Sequence, residues 1–318
     1  MDLLLTGSLE PDEWNDWLAV LAQALPGRRV WRGDRPHDPA AIGVALVANP
    51  APGSLSALPH LRLIQSLWAG VDRLLADDTL PPGVPVARMV DPGMSAAMAE
   101  TAVWATLGAQ RDFFTYARQQ ARAQWLPWGQ RTPAQWPVTV LGRGEIGGTV
   151  AARLAAAGHP VRTWGRTPGT DPARPPGPGV ITPLHGEAAL HAALADTAVL
   201  INLLPLTAAT RDLIGTPLLR HLPAHATLVH LGRGAQLVEA DLLDALDRGR
   251  LRHAVLDVFR TEPLPPTHAF WHHPAITVLP HVAAQTMPAT AVSVVVANVA
   301  AIEAGTPLRH EVRRERGY

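Results

Sequence analysis

Arg233 in LGRG, Glu262 in DVFRTEPLP and His281 in TVLPHVAA are the side chains of this sequence best suited to proton and anion chemistry. An arginine holds a carboxylate. A histidine moves a proton near neutral pH, and a glutamate orients that histidine and raises its pKa. Each of the three follows a short apolar run that reads as a strand, at 227–231, 254–258 and 276–279. Strand ends of an open α/β sheet share one rim, so the three residues are expected to converge.

A second constellation stands upstream, in PVTVLGRGEIGGTVAARLAAAG. Residues 138–141 read as a buried strand. Gly142, Gly144 and Gly147 follow at G-x-G-x-x-G spacing, and a helical pattern with Val150 and Leu154 on one face ends at Gly158. Strand, glycine turn and helix together form a dinucleotide-binding fingerprint. Gly142 permits the tight turn, Gly144 lets backbone approach a pyrophosphate, and Gly147 allows close helix–strand packing. The helix N-terminus offers N–H groups and the positive end of its dipole. Arg143, Glu145 and Ile146 complete the turn and join the glycines as cofactor contacts.

The next strand, at 161–164, decides which dinucleotide. An NAD-selective site carries an acid at its end to bond the ribose 2′-hydroxyl. Here Gly165 stands at that point, followed by Arg166 and Thr167. A missing carboxylate and an added guanidinium suit a 2′-phosphate. The three residues therefore predict NADPH, with NADH as the alternative.

These sites need a scaffold, and 318 residues suffice for two domains. Hydrophobic residues make up 47% of the chain, enough for sizeable cores, and the formal net charge is zero, which argues against nucleic acid or an anionic membrane as partner. All 27 basic residues are arginine, which excludes Schiff-base chemistry by a lysine; without cysteine there are no disulfides or thiolate sites. The acidic start MDLLLTGS does not resemble a signal peptide, and no run reaches about 20 uninterrupted apolar residues. A cytoplasmic protein is expected. The remaining histidines, including His185, His191, His221, His225, His272 and His273, make no H-E-x-x-H or comparable pattern, so no metal site is expected.

Residues 1–91 alternate strand and helix signals, with strands at 3–6, 29–31, 44–48, 63–67 and 84–88 and a helical stripe through Trp14, Trp17, Leu18, Leu21 and Leu25. Such alternation implies a parallel sheet with helices on its faces. Trp68, Ala69, Gly70 and Val71 follow one of these strands, and read either as a plain turn or as a place where backbone N–H groups meet an anionic substrate. A single helix is predicted over 95–124. The aromatics Trp125, Trp128 and Trp136 follow it and suit either a dimer contact or local packing. A surface loop is predicted over 167–179, a strand over 199–204, and helices over 239–248 and 289–304.

Five motifs in fixed order, GRGEIG, INLLPLTAATRDLIG, LGRGAQLVEADLLDAL, LDVFRTEPLP and LPHVAA, resemble the D-isomer-specific 2-hydroxyacid dehydrogenases. With the closing VRRERGY, the chain is most similar to that family's bacterial glyoxylate/hydroxypyruvate reductases. The resemblance implies an α/β fold of two parallel-sheet domains, one flavodoxin-like and one Rossmann-like, with a cleft between them. It implies domains at 1–100 (substrate), 101–285 (dinucleotide) and 286–318 (a helix and tail returning to the first), and a homodimer. Arg233, Glu262 and His281 become the catalytic residues. Leu204, Pro205, Leu231, Gly232 and Asp257 join the cofactor contacts. Trp68, Ala69, Gly70, Val71, Arg233 and His281 become the substrate contacts. Two departures stand out. His230 occupies a position where asparagine is common, and Ala48-Asn49 replaces a tryptophan loop, for which Trp68 is placed to compensate. The implied reaction is NADPH-dependent reduction of a small 2-oxoacid. The alternatives are a dehydrogenase for another 2-hydroxyacid, or a non-catalytic dinucleotide sensor on the same fold.

Overall fold

The computed structural model describes residues 1–166, 168 and 179–318. Thr167 and most of the loop predicted over 167–179 therefore lie outside the described residues. The chain divides into two compact units, one formed by 1–94 with 286–318 and the other by 95–285.

The first unit opens with β1 (Asp2–Gly7), α1 (Pro11–Ala24), β2 (Val30–Arg32), β3 (Ile42–Ala48), β4 (Leu63–Ser66), α2 (Asp72–Leu75) and β5 (Val86–Ala87). The five strands are parallel in the order β2-β1-β3-β4-β5. The sheet is buried on both faces, as parallel sheets are. In β3 every residue is buried, and alternate side chains go to opposite cores. Val44 and Leu46 pack with Leu3, Leu5, Trp14, Trp17 and Leu21, whereas Ala45 and Val47 pack with Leu4, Ile64 and Leu74.

The second unit takes in most of α3 (Pro92–Gln110), then α4 (Phe113–Gln120), β6 (Val138–Leu141), α5 (Glu145–Ala156), β7 (Val161–Gly165), β8 (Ile181–His185), α6 (Glu187–Leu194), β9 (Val199–Asn202), α7 (Thr216–Leu219), β10 (Thr227–His230), α8 (Glu239–Asp247), β11 (His253–Leu256) and β12 (Ile276–Val278). Its seven parallel strands run β12-β11-β10-β9-β6-β7-β8. The order reverses beside β6, where α/β sheets bind ligands outside the strand ends. The closing helix α9 (Pro288–Ala304) belongs to the first unit. Asn298 on α9 is buried, donates to Gln65 Oε1 at 2.7 Å and accepts from the Arg309 N–H, which ties the tail to the first sheet.

The single helix predicted over 95–124 is broken. Asp112 takes a left-handed backbone, φ +58°, between α3 and α4. Its buried carboxylate pairs with Arg131 at 2.8 Å and with Arg252. Two charge-assisted contacts to distant residues outweigh the cost of about 1–3 kcal/mol that such a backbone carries. Trp136 is core rather than a surface aromatic, packed under the Arg131 guanidinium and against His225. Strand β8 and helix α6 had no predicted counterpart. Pro183 inside β8 masks a strand signal, and it is tolerated because β8 is the sheet edge.

Candidate active site

Strands β10, β11 and β12 are neighbours, so the segments that leave their C-terminal ends emerge side by side. Arg233 follows β10, Glu262 follows β11 and His281 follows β12. The turns bearing the first two touch. A Cβ placed on Gly234 would sit 1.9 Å from the Phe259 carbonyl carbon, so only glycine fits there.

Glu262 is fixed at both oxygens. Oε1 accepts the Phe259 backbone N–H at 2.8 Å, and Oε2 lies 2.8 Å from His281 Nδ1. Nδ1 donates in this pair, which leaves Nε2 of the half-exposed imidazole as the atom able to exchange a proton with a ligand. The Glu262 hydrogen bond, opposed by partial burial, raises the His281 pKa above its ordinary 6.5. Burial alone would raise Glu262, but its bonds to His281 and Phe259 hold it below the ordinary carboxylate value. The Arg233 charge lowers both groups, and its Nη1 donates to the Gly232 carbonyl at 2.8 Å.

His281 has φ +53°, a left-handed backbone. Asp257 holds it there. The Val282 N–H donates to Asp257 Oδ1 at 2.8 Å, and the Ala283 N–H donates to both oxygens at 3.1 and 3.2 Å. Burial pushes the Asp257 carboxyl up, against the pull of these two N–H groups. Asp257, expected to contact cofactor, is thus engaged by backbone of the histidine turn.

Arg233 rests on a buried polar network that sequence reasoning missed. Asn202 Nδ2 donates to Gln236 Oε1 at 2.8 Å and lies 3.1 Å from His230 Nδ1. Since Nδ1 must accept, His230 carries its proton on Nε2 and donates to the Arg233 carbonyl at 3.0 Å. Gln236 Oε1 also accepts the Arg233 N–H at 2.9 Å, while its Nε2 donates to the carbonyls of Leu204 and Pro205. Burial brings His230 down to about 4, so it stays neutral. Leu204, Pro205, Leu231 and Gly232 line this network's strand ends. The signal available beforehand was His230 itself, standing where asparagine is common.

The glycine turn fits a dinucleotide. Gly142 has φ +116°, and a Cβ on Gly147 would lie 2.2 Å from the Gly142 carbonyl oxygen, so close packing of the turn on itself requires the third glycine. Around Gly144 nothing lies within 4 Å of such a Cβ, which is the space a pyrophosphate needs. Gly144 caps α5 without a side-chain bond, and so leaves first-turn N–H groups for an anion. Glu145 is exposed and Ile146 half-buried at the helix start, and Arg166 is exposed beyond β7. Trp68, Ala69, Gly70 and Val71 lie in the first unit after β4. There Ser66 Oγ accepts the Trp68 N–H and donates to the Trp68 carbonyl.

Residues 103–283 match the family model of the D-isomer specific 2-hydroxyacid dehydrogenase, NAD binding domain. The chain is 39% identical over 295 residues to a glyoxylate/hydroxypyruvate reductase A of Serratia proteamaculans, covering 91% of this chain and 92% of the relative. Identity to the protein of that name from Salmonella newport is 40% over 310 residues, covering 95% and 96%. A D-isomer specific 2-hydroxyacid dehydrogenase from Xanthobacter autotrophicus Py2, solved in complex with NADPH and MES, is similar with a TM-score of 0.93 at 37% identity over 100% of this chain and 99% of that one. An NADPH-dependent glyoxylate/hydroxypyruvate reductase from Sinorhizobium meliloti, solved with NADP and sulfate, gives 0.90 at 33% with the same coverage.

Proposed function

This chain belongs to the D-isomer specific 2-hydroxyacid dehydrogenase family, and on that premise we propose that it reduces glyoxylate, hydroxypyruvate or a similarly small 2-oxoacid with NADPH. The observation that carries this reading is the 2.8 Å Glu262–His281 pair on the rim where Arg233 also acts. When bound, the nicotinamide supplies the hydride that goes to the carbonyl carbon. Arg233 binds the substrate carboxylate and draws charge toward the ketone oxygen. His281, protonated and held by Glu262, gives its Nε2 proton to that oxygen; in the reverse direction neutral His281 removes it. The backbone at Ala69, Gly70 and Val71 and the Trp68 side chain are assigned to the substrate as well. The glycine turn takes the pyrophosphate, and Gly165-Arg166 favours the 2′-phosphate.

A panel of 2-oxoacids assayed with each cofactor tests the reading. We expect glyoxylate or hydroxypyruvate to lead in kcat/KM, with NADPH ahead of NADH by about ten- to hundredfold, the worth of a charged hydrogen bond. No turnover of any 2-oxoacid with either cofactor would overturn it.

A homodimer is the assembly this reading favours. Trp125 is 95% exposed, with Leu126 and Trp128 exposed beside it, an apolar surface more costly in water than in a subunit contact. Sedimentation is expected at twice the monomer mass, shifting toward monomer when Trp125 and Leu126 are both replaced by serine. A wild-type monomer at micromolar concentration would refute the assembly.

A further inference from the structure

Arg143 is the second residue of the glycine turn, yet its side chain does not stay over that turn. A Cβ built on Gly165 would lie 3.0 Å from Arg143 Nε, 3.5 Å from Nη2 and 3.6 Å from Cζ. The guanidinium therefore lies across the last residue of β7. The backbone brings the two places together, since Leu141 pairs with Trp164 in the sheet and the Gly142 N–H donates to the Trp164 carbonyl at 2.9 Å. The end of this strand is where a Rossmann unit meets the adenosine ribose. In place of an acid on that residue, the chain has a glycine with a guanidinium lying over it. Arg166, one residue on, is exposed.

We propose that Arg143 reads the cofactor's 2′-phosphate from within the glycine turn, and that Gly165 is there to admit its side chain. Arg166 then contributes a supporting charge rather than the principal contact. The inference rests on the NADPH reading above and assigns its selectivity to a particular residue. A planar guanidinium braced against backbone loses little freedom when it binds phosphate, whereas an exposed arginine must be ordered first. The arrangement also makes Gly165 a specificity residue with no charge of its own. A Cβ there presses on the Arg143 guanidinium at 3.0 Å, and an aspartate would pair with it.

The test is binding of two cofactor fragments, adenosine 2′,5′-bisphosphate and adenosine 5′-monophosphate, by calorimetry on the full chain. Wild type is expected to prefer the bisphosphate. Arg143→Gln should cut that preference by about ten- to hundredfold, with 5′-monophosphate affinity changed less than twofold. Arg143→Lys should recover part of the loss, and Arg166→Gln should cost less than threefold. Gly165→Ala, which removes no charge, should lower the preference several-fold by crowding the guanidinium. Retention of the preference in Arg143→Gln would overturn the inference alone, as would equal loss for both fragments. A wild type indifferent to the 2′-phosphate would overturn the NADPH reading together with it.

Discussion

Replacing His281 by alanine lowers kcat for oxoacid reduction by about 10²–10⁴-fold, while the Kd for NADPH stays within twofold. The size follows from the role. The variant keeps the glycine turn and loses only the group proposed to give the carbonyl oxygen its proton. The pH profile carries the same assignment. Reduction needs the imidazolium, and the Glu262 bond raises the His281 pKa above 6.5. Reduction therefore persists above the usual imidazole range and falls as pH climbs through the raised value, while oxidation of the hydroxyacid rises over the same interval. Removing the carboxylate with Glu262→Gln moves both limbs to lower pH. Asp257→Asn shifts them the same way by less, since the Asp257 charge also raises His281. Near-normal turnover in His281→Ala, or an unmoved profile in Glu262→Gln, would remove the pair from the mechanism.

Loss of the Arg233 guanidinium is expected to be comparably severe. Arg233→Gln removes the side chain proposed both to anchor the carboxylate and to polarise the ketone, and electrostatic stabilisation of that kind is worth about 10²–10³ in kcat. KM for the oxoacid should rise at the same time. Arg233→Lys restores a point charge without the two-pronged geometry and should recover only part of either loss. The backbone of residue 233 is held by His230 and Gln236 whatever its side chain, so the variant turn is expected to keep its fold. Steady-state kinetics on both variants check this. An unchanged kcat/KM in Arg233→Gln would place the carboxylate elsewhere.

Local chemistry by itself determines much of this protein. β6 runs over the very residues its apolar stretch marked, and the turn after it could be read because glycine is the residue that a positive φ and a crowded carbonyl both demand. Arg233, Glu262 and His281 stood out as candidates because each lies in the segment that leaves a short strand, and strand ends in a parallel sheet share a rim. Tertiary structure alone decided what holds them. Asn202, His230 and Gln236 form one network across 34 residues, and the strained His281 backbone depends on Asp257, 24 residues earlier. The break at Asp112 answers to Arg131 and Arg252, the latter 140 positions away. Arg143 lies over Gly165 only because β6 and β7 are paired. Periodicity reports which face of an element is buried. It carries no information on which distant donor meets which acceptor, because those bonds form only after the sheet order has brought the strand ends together.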